Sequence, residues 1–287
     1  MYLPRLVSIT GLFGPMRLDL HIHTTASDGA LSPQEVLTRC EAAHLDVIAL
    51  ADHDTTAGVR RLNRLGVKGP IQVIPALEVS STLDRRELHF LGYFVDPDSD
   101  VIRRHEERAV ILREKRMRGM IQKLGDQGVA VSIEAVRSAA GPDGTALSRP
   151  HLARALTEAG HVSTVSEAFD RYIGDGHPAF LPTSLLSPEE AVRLILDAGG
   201  IPVWAHPPED RVEGLLPRLV QSGLRGLEVY RPRHSARYTL RLEGFCKAWK
   251  LLMSGGSDWH APDRGAELGD FFVTAEEVSG LLEEGGM

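Results

Sequence analysis

The feature that most constrains this chain is a pair of histidines, His21 and His23, at the end of its first predicted strand. The stretch that ends at His23 alternates apolar and polar side chains, which predicts a β-strand. Leu18, Leu20 and Ile22 then share one face, and both histidines lie on the other. Two imidazoles at this spacing point the same way, at a separation that one metal ion can bridge. An isolated pair of this kind is usually a pair of surface histidines, so later residues have to decide between the two interpretations.

A third possible ligand and a clearly marked helix follow this strand. Asp28 lies beside Gly29 in a turn-rich segment, where the aspartate is either a metal ligand or an ordinary turn residue. Ser32 and Pro33 predict the start of a helix, because serine caps helices and proline suits the first helical position. Glu35 completes a capping box with the serine.

Strands and helices alternate through the beginning and the end of the chain. Strands are predicted at residues 17–23, 46–51, 71–77, 87–93, 201–205, 226–230 and 251–254. Polar residues follow most of these strands. A parallel β/α barrel presents its active site in this way, with functional side chains at the carboxyl ends of its strands. The sequence therefore predicts an α/β protein built on a barrel.

The middle of the chain breaks this alternation. Residues 96–187 contain helical stretches without a convincing strand between them, and the longest helix is predicted at residues 101–124. We interpret this segment as a helical insertion that caps the substrate site. The barrel is then discontinuous and comprises residues 16–95 and 188–287. Residues 1–15 are expected to form an N-terminal extension that makes a poor signal peptide.

Residues with metal-ligand chemistry stand at or beside the end of nearly every predicted strand. They are His21, His23, Asp28, His53, Glu78, His89, His206, Asp258 and His260. Nitrogen and carboxylate donors without thiolates suit zinc, manganese or iron. So many donors exceed the needs of one ion, which predicts two or three ions with Glu78 as a bridging ligand. Clustered ions polarise a phosphate and generate hydroxide near neutral pH, which suits phosphoryl chemistry.

Each of these residues also has a simpler interpretation. Taken alone, His89 or His206 is a core histidine, and Glu78 is a buried salt-bridge partner. His53 is a neighbour of a helix cap. Histidine is common in this chain, which contains 12 of them. The repeated placement at strand ends nevertheless favours metal binding over these alternatives.

The overall composition argues against several classes of function. A formal net charge of −7 argues against nonspecific binding to duplex DNA. No apolar run approaches the roughly 20 residues of a membrane span. Cys40 and Cys246 are the only two cysteines, and both fall in predicted helices, which indicates a reducing cytoplasm without a disulfide framework. The sequence leaves the oligomeric state open.

A series of motifs gives the chain its resemblance to a known family. DLHIHTTASDG, ADHDTT, ALEVS, HFLGY, WAHP and GSDWH follow one another between residues 16 and 273. In order and spacing they resemble the polymerase and histidinol phosphatase (PHP) family. The resemblance implies a distorted, TIM-like (β/α)₇ barrel that holds two or three divalent ions. Mn²⁺, Zn²⁺ or Fe²⁺ is expected, and Mg²⁺ less so.

The resemblance also implies a ligand set for each ion. The first set is His21, His23, Glu78 and Asp258. The second is Glu78, His89 and His206, and the third is Asp28, His53 and His260. Glu78 and Asp258 are thereby expected to be catalytic as well.

Within the family, the insertion resembles a subgroup of nucleotide-directed phosphoesterases. The motifs SRPHLARAL and AFDRYIG carry this resemblance, which implies that Arg149 and His151 contact a substrate phosphate and assist catalysis. The alternative is that Arg149 caps a helix and His151 packs within it. His177 stands in Gly-His-Pro where the subgroup's pattern is Gly-Lys-Pro, and it is a further candidate for substrate binding. Arg233 and His234, just past a predicted strand, are the remaining candidates.

A basic segment supports a local anion site. Residues 103–123 contain eight basic and three acidic side chains. Most of the basic ones are interpreted as a solvated helix face, and a few as the border of the cleft, where they would steer anions inward.

These features together predict a metal-dependent phosphoesterase that hydrolyses nucleotide phosphate esters. Its expected substrate is a small-molecule nucleotide or the 5′ end of a short RNA. It would act as a 3′,5′-nucleoside bisphosphate phosphatase, as a 5′–3′ exoribonuclease, or as both. One alternative is a histidinol-phosphate phosphatase on the same barrel, and the insertion counts against it. Another is a noncatalytic PHP module that stabilises a partner through bound metal, and the complete ligand set counts against that.

Overall fold

The computed structural model describes residues 15–66, 69–142, 146–183, 185–262 and 266–287. The predicted N-terminal extension, apart from its last residue, lies outside the described residues. The strands are β1 (Arg17–Ile22), β2 (Val47–Leu50), β3 (Gln72–Leu83), β4 (Arg86–Tyr93), β5 (Ile201–Trp204), β6 (Gly226–Tyr230), β7 (Leu252–Gly255) and β8 (Val273–Thr274). The helices are α1 (Pro33–Ala42), α2 (Ala57–Leu65), α3 (Asp100–Gly125), α4 (Ile133–Ala140), α5 (Arg149–Glu158), α6 (Val165–Ala168), α7 (Pro188–Asp197), α8 (Val212–Gln221), α9 (Ala236–Trp249) and α10 (Ser279–Glu284), with a π-helical turn at Phe169–Ile173.

Serine side chains mark the start of several helices. The capping box predicted at Ser32 is confirmed: the serine oxygen accepts a hydrogen bond from Glu35 N, and the Glu35 carboxylate accepts one from Ser32 N. Ser187 and Glu190 form the same box at α7, and Ser99 caps α3. These caps satisfy amide donors that have no partner within the helix, so they fix where each helix begins.

The strands form one sheet that nearly closes into a barrel. Their order is β7-β6-β5-β4-β3-β2-β1-β8. β8 pairs antiparallel with the start of β1. At the end of β1, His23 N donates to Trp259 O at 2.9 Å and Trp259 N donates to His21 O at 3.3 Å. The segment after β7 therefore joins β1 across the seam. The predicted distorted α/β barrel is confirmed, with a short eighth strand in addition to the predicted ones.

Besides the short β8, a long strand also runs against the direction expected for a parallel barrel. β4 pairs antiparallel with both β3 and β5. β3 and β4 are joined by a tight turn at Asp84 and Arg85, whose φ angles are 49° and 64°. Positive φ at both positions matches the twist of a two-residue hairpin. As a result, Glu78 lies within a long strand and not at a strand end, where the sequence predicts it, while His89 lies within β4, as the predicted strand at residues 87–93 implies.

A bulge in β1 changes which side chains share a face. The register of β1 with β2 shifts between Asp19 and Ile22. Leu18 and Leu20 pack in an apolar cluster of strand residues and α10, whereas Ile22 packs with α1 and α2. The prediction that the three share one face is therefore wrong. A bulge adds a residue and re-aims the side chains that follow it, so His21 lies on the inner side with Leu20.

Inside the barrel, apolar and polar residues occupy different levels. The inner cluster contains side chains from β1 to β5, β8 and α10. Other clusters pack the outside of the sheet on α7, α8 and α9, and on α1 and α2. Two residues after a member of the inner cluster, the chain often has a predicted ligand. Ala51 is followed in this way by His53, and Ala76 by Glu78. The polar end of the barrel is thus built directly on its apolar core.

The helical segment between β4 and α7 has an apolar cluster of its own. This cluster is formed by residues between Met117 and Ala179, from α3 to α6 and the segments around them. It is consistent with the predicted insertion, although the division of the chain into a barrel and an insertion stays a prediction. Among the helices that the structure describes, none is long and apolar enough to cross a membrane.

Candidate active site

The structure brings the nine predicted metal ligands together at the polar end of the barrel, and we call them the donor cluster. Three groups have donor atoms within 4.8 Å of one another: His23, Asp28, His53 and His260; His21, His23, Glu78 and Asp258; and His53, Glu78 and His89. His206 joins the third group, since its Nε2 lies 2.9 Å from Glu78 Oε1. The groups share members, so they are continuous.

The carboxylate of Glu78 lies at the centre of the donor cluster. Ring nitrogens of five histidines lie within 3.4 Å of its oxygens: His206 at 2.9 Å, His53 and His89 at 3.1 Å, His23 at 3.3 Å and His21 at 3.4 Å. Oε1 faces the histidine in β4 and the one that follows β5, and Oε2 faces the histidines at the end of β1 and after β1 and β2. Because its two oxygens face different ligands, this carboxylate is suited to bridge two cations.

His21 and His23 direct ring nitrogens to the same point. Their Nε2 atoms are 3.1 Å apart, and each lies within 3.5 Å of Asp258 Oδ1. On its other side, His21 Nδ1 lies 2.8 Å from Glu228 Oε1, and the glutamate is fully buried. A carboxylate in this position fixes the ring orientation and leaves Nε2 free to bind a cation.

The turn after β1 delivers Asp28 to the donor cluster. Gly29 N donates to Thr24 O at 2.9 Å, which folds the turn back on itself. Glycine is required here because a Cβ atom would lie 2.4 Å from the carbonyl oxygen of His23. The Asp28 carboxylate thereby reaches three imidazoles, those of His260 at 3.5 Å, His23 at 3.8 Å and His53 at 3.9 Å.

Two members of the donor cluster have an unusual backbone conformation. Asp258 has a φ of 57° and His206 a φ of 32°. Left-handed conformations cost non-glycine residues roughly 1–3 kcal/mol and are concentrated at functional sites. Asp258 is also oriented by a neighbour, since Arg231 Nη2 donates to its Oδ2 at 2.6 Å. Arg231 Nε lies 3.3 Å from Glu228, so one buried arginine links the two carboxylates.

The donor cluster fits divalent cations. Two ligands of one ion lie about 3.0–3.5 Å apart when the bonds are about 2.1 Å long, and the spacings around His21 and His23 fall in this range. Several buried atoms have no hydrogen-bond partner among the described residues, namely Glu78 Oε2 and the Nδ1 atoms of His23, His53 and His89. Buried polar atoms are rarely left in this condition, and a bound cation would give these atoms a partner.

Mutual electrostatics keep the cluster in a state that can bind cations. Burial raises the pKa of Glu78, but the charged imidazoles around it, including His21, outweigh burial and hold that pKa well below its usual range. Burial lowers the pKa of His53 to about 3, so its imidazole is neutral. Burial also lowers the pKa of His23, but the adjacent carboxylates of Asp258 and Glu78 outweigh it and raise that pKa to about 10. A bound cation would take the place of that proton.

The donor cluster borders a cleft of about 250 Å³ whose other side comes from the helical segment. Arg113 and Arg116 of α3 and Arg149 of α5 line it, and we call these three the arginine wall. Arg113 donates to Asp54 Oδ2 at 2.9 Å through Nε, and Arg116 Nη2 lies 2.8 Å from Glu87 Oε1. Both α3 arginines are buried, so a few residues of the basic segment do border the cleft.

Arg149 lies at the edge of this cleft between two carboxylates. Its Nη2 donates to Glu87 Oε2 at 2.9 Å, and its Nη1 donates to Asp175 Oδ1 at 2.5 Å. Its guanidinium also stacks near two aromatic rings, 5.1 Å from the centroid of Phe180 and 5.6 Å from that of Phe169. The structure therefore puts Arg149 where the sequence analysis expects it, while its contact with a phosphate stays a prediction.

His151 lies away from the surface of the cleft. It is 1% exposed, and its Nδ1 accepts a hydrogen bond from Ser148 N at 3.1 Å at the start of α5. Burial lowers its pKa to about 4. This is the packing arrangement weighed as the alternative for His151, and a catalytic or phosphate-binding role for it stays a prediction.

The other predicted substrate contacts do not line this cleft. His177 lines a separate cavity of about 570 Å³ next to Glu87. Arg233 is exposed and lines a third cavity beside Asp258. His234 packs at 5.0 Å against the Tyr238 ring and bonds to a backbone carbonyl.

Sequence reasoning missed the residues that hold the ligands and arginines in place. Glu228 interrupts the apolar strand β6, and a charge inside such a run is a usable signal for a functional carboxylate. Arg231 lies two positions before Arg233, which the sequence analysis names as a candidate substrate contact. Glu87 forms ion pairs with Arg116 and Arg149, which lie far from it in the sequence. No local pattern indicates which arginines of the helices point toward the cleft.

Comparisons with known proteins agree with this geometry. A model of the PHP domain matches residues 19–136. A 5′–3′ exoribonuclease from Haemophilus influenzae is 33% identical over 273 residues, which cover 93% of this chain and 98% of that protein. The chain belongs to the PHP family.

Two further PHP relatives extend the likeness over most of the chain. A 3′,5′-nucleoside bisphosphate phosphatase from Chromobacterium violaceum is 33% identical over 254 residues, 86% of this chain and 88% of that protein. The solved structure of a Bifidobacterium adolescentis protein assigned as a metal-dependent phosphoesterase superposes with a TM-score of 0.82 at 27% identity, covering 94% and 97% of the two chains. With its donor cluster, this PHP protein is a metal-dependent phosphoester hydrolase.

Proposed function

We propose that the protein hydrolyses a phosphate ester of a nucleotide that carries a second phosphate. The substrate is a 3′,5′-nucleoside bisphosphate or the 5′ end of a short RNA. One observation carries the proposal: a single cleft joins the donor cluster to the arginine wall. Two sites for anions in one cleft suit a substrate with two phosphates, one that reacts and one that orients the molecule.

The reacting phosphate belongs at the donor cluster. When bound, two or three divalent ions supply charge neutralisation and an activated water there. The residues that would hold them are His21, His23, Glu78 and Asp258 for the first ion, Glu78, His89 and His206 for the second, and Asp28, His53 and His260 for the third. Manganese, zinc or iron suits these imidazole-rich sets better than magnesium, which prefers oxygen ligands.

The second phosphate belongs at the arginine wall. Glu87 is 8% exposed and anchors both Arg116 and Arg149, whereas Asp175 is 60% exposed and holds only Arg149. An exposed ion pair contributes about 0–1 kcal/mol, so a phosphate can displace Asp175 at little cost. In exchange it gains charge-assisted hydrogen bonds from a guanidinium whose orientation Glu87 has already fixed.

The relatives support a nucleotide substrate over the alternatives. One is a 5′–3′ exoribonuclease and the other a 3′,5′-nucleoside bisphosphate phosphatase. Histidinol phosphate, by contrast, carries an ammonium group, which the arginine wall would repel. A noncatalytic module would need neither a donor cluster open to a cleft nor three arginines beside it.

A substrate panel tests this proposal. Adenosine 3′,5′-bisphosphate, 5′-phosphorylated short RNA and histidinol phosphate are compared with manganese, zinc or magnesium added to metal-free protein. We expect turnover of the first two substrates, highest with manganese or zinc, and its loss on chelation. Faster turnover of histidinol phosphate would overturn the substrate class. A metal-loaded protein that hydrolyses none of the three would support the noncatalytic alternative.

A further inference from the structure

A second cavity, which we call the exit cavity, adjoins the donor cluster on the side of β6 and β7. It has a volume of about 230 Å³ and shares Asp258 and His260 with the cleft. The rest of its wall comes from the loops after these strands and includes Arg231, Pro232 and Arg233. The arginine wall contributes nothing to it. Asp258 and His260 therefore lie between the cleft and the exit cavity. The proposed function uses only the cleft.

We propose that the exit cavity holds the RNA beyond the scissile phosphate, with Arg233 on its backbone. This inference rests on the proposed function and extends it to the path of the substrate. If the 5′-terminal phosphate lies on the arginine wall and the scissile phosphate at the donor cluster, the next nucleotide must leave in another direction. The cleft itself is bounded beyond the arginine wall by residues of the helical segment, including Pro150 and Phe169. The exit cavity begins at the ligands themselves.

The charges of the exit cavity suit a phosphate at one position. Arg231 is committed to Asp258 and Glu228 and is largely buried, so it serves the donor cluster. Arg233 is exposed, and no carboxylate forms an ion pair with it among the residues that the structure describes. An exposed arginine can meet a passing backbone phosphate with two hydrogen bonds.

The described residues of the exit cavity favour contact with the RNA backbone over contact with the bases. Pro232, Ala261 and Ala266 offer no groups for reading base edges. Trp259 is 4% exposed, and its Nε1 is already bonded to Ala266 O at 3.1 Å. Sequence-specific RNA recognition uses exposed aromatic rings and hydrogen bonds to bases. In the part of this wall that the structure describes, contact of Arg233 with the backbone is thus the interaction that we propose.

The test is Arg233→Ala assayed on 5′-phosphorylated RNAs of two to five nucleotides and on adenosine 3′,5′-bisphosphate. We expect kcat/KM to fall about 5- to 10-fold on RNA long enough to carry a phosphate beyond the scissile one. The slope of log kcat/KM against log salt concentration should weaken by about 0.7, the value for one phosphate contact with a single strand. Turnover of the bisphosphate should change by less than about twofold. Arg233→Lys should restore part of the loss, and Arg193→Ala on the exposed side of α7 is the matched control.

The possible outcomes separate this inference from the function on which it rests. Equal losses on RNA and bisphosphate would mean that Arg233 acts on the site itself, and the exit path would be wrong. The path would also be wrong if no RNA length responded, or if wild-type protein hydrolysed the bisphosphate but no RNA. Wild-type protein that hydrolysed neither substrate would overturn the proposed function, and the inference with it.

Discussion

The donor cluster and the arginine wall border the same cleft but differ in how their polar groups are satisfied. In the donor cluster, five imidazoles crowd one carboxylate, and four buried atoms have no hydrogen-bond partner among the described residues. In the arginine wall, each guanidinium has a carboxylate partner: Asp54 for Arg113, and Glu87 for Arg116 and Arg149. Cations would complete the first region, whereas each charge of the second is already paired with a carboxylate of the protein.

This difference predicts two kinds of defect. A variant of the donor cluster should lose the chemistry on every substrate, because the cations activate whatever phosphate is bound. A variant of the arginine wall should distinguish substrates, because only those with a second phosphate use it. The following substitutions test that division, from the largest expected effect to the smallest.

Glu78→Gln should give the largest loss. It removes the shared negative charge between cation sites while keeping the size of the side chain. We expect turnover of the bisphosphate and of p-nitrophenyl phosphate to fall together by at least about 1,000-fold, equivalent to about 4 kcal/mol of transition-state stabilisation. Bound metal, measured by elemental analysis, should fall as well, with an unchanged circular dichroism spectrum. Glu107→Gln on the exposed side of α3 is the control. Near-normal activity would show that Glu78 holds no essential cation.

Arg149→Ala should discriminate between substrates. The loss of a charge-assisted contact with phosphate costs roughly 1.5–3 kcal/mol, about 10- to 150-fold in kcat/KM. We expect this loss on adenosine 3′,5′-bisphosphate and a much smaller one on p-nitrophenyl phosphate, which lacks the second phosphate. Glu87 keeps Arg116 as a partner, so the fold should persist. Equal losses on the two substrates would assign Arg149 to the reacting phosphate or to the fold.

Glu228→Gln should weaken the donor cluster indirectly. The amide can still accept a hydrogen bond from His21 Nδ1, but it no longer carries the charge that favours cation binding on the other ring nitrogen. Loss of such a partner typically lowers metal affinity 10- to 100-fold. The metal concentration for half-maximal activity should therefore rise, and saturating metal should restore most of kcat. Failure of excess metal to restore activity would point to damage beyond His21. Glu276→Gln, exposed near the chain end, is the control.

Asp175→Asn should have the smallest effect and the opposite sign. It releases Arg149 Nη1 from an exposed competitor, so KM for the bisphosphate should fall by about two- to threefold, consistent with an exposed ion pair of under about 1 kcal/mol. The KM for p-nitrophenyl phosphate should not change. A rise in KM for the bisphosphate would mean that Asp175 positions Arg149 instead of competing for it.

The two regions also differ in how much the sequence could predict. All nine members of the donor cluster were identifiable because barrel topology collects residues from similar positions on successive strands, and the chain marks each with histidine or an acid. Their partners Glu228 and Arg231 were missed: the charge of Glu228 inside the apolar strand β6 was a usable signal, whereas Arg231 looks like an ordinary charge after a strand. In the arginine wall, Arg149 was found only through a family resemblance. Arg113 was one of many basic residues on a long helix, and its inward orientation depends on Asp54, which lies far away in the chain.

The bulge in β1 explains how one strand can serve two layers of the barrel. In a strand that alternates without interruption, the apolar residues and the histidines of this sequence would face opposite sides. The extra residue changes which side chains face the inside of the barrel. Before it, the even-numbered residues of β1 face inward, and after it, the odd-numbered residues do. Leu18 and Leu20 can therefore fill the core, while His21 and His23 contribute to the donor cluster at the polar end of the barrel. With the residue order of β1, a strand without that extra residue could supply either Leu18 and Leu20 to the core or the two histidines to the donor cluster, but not both.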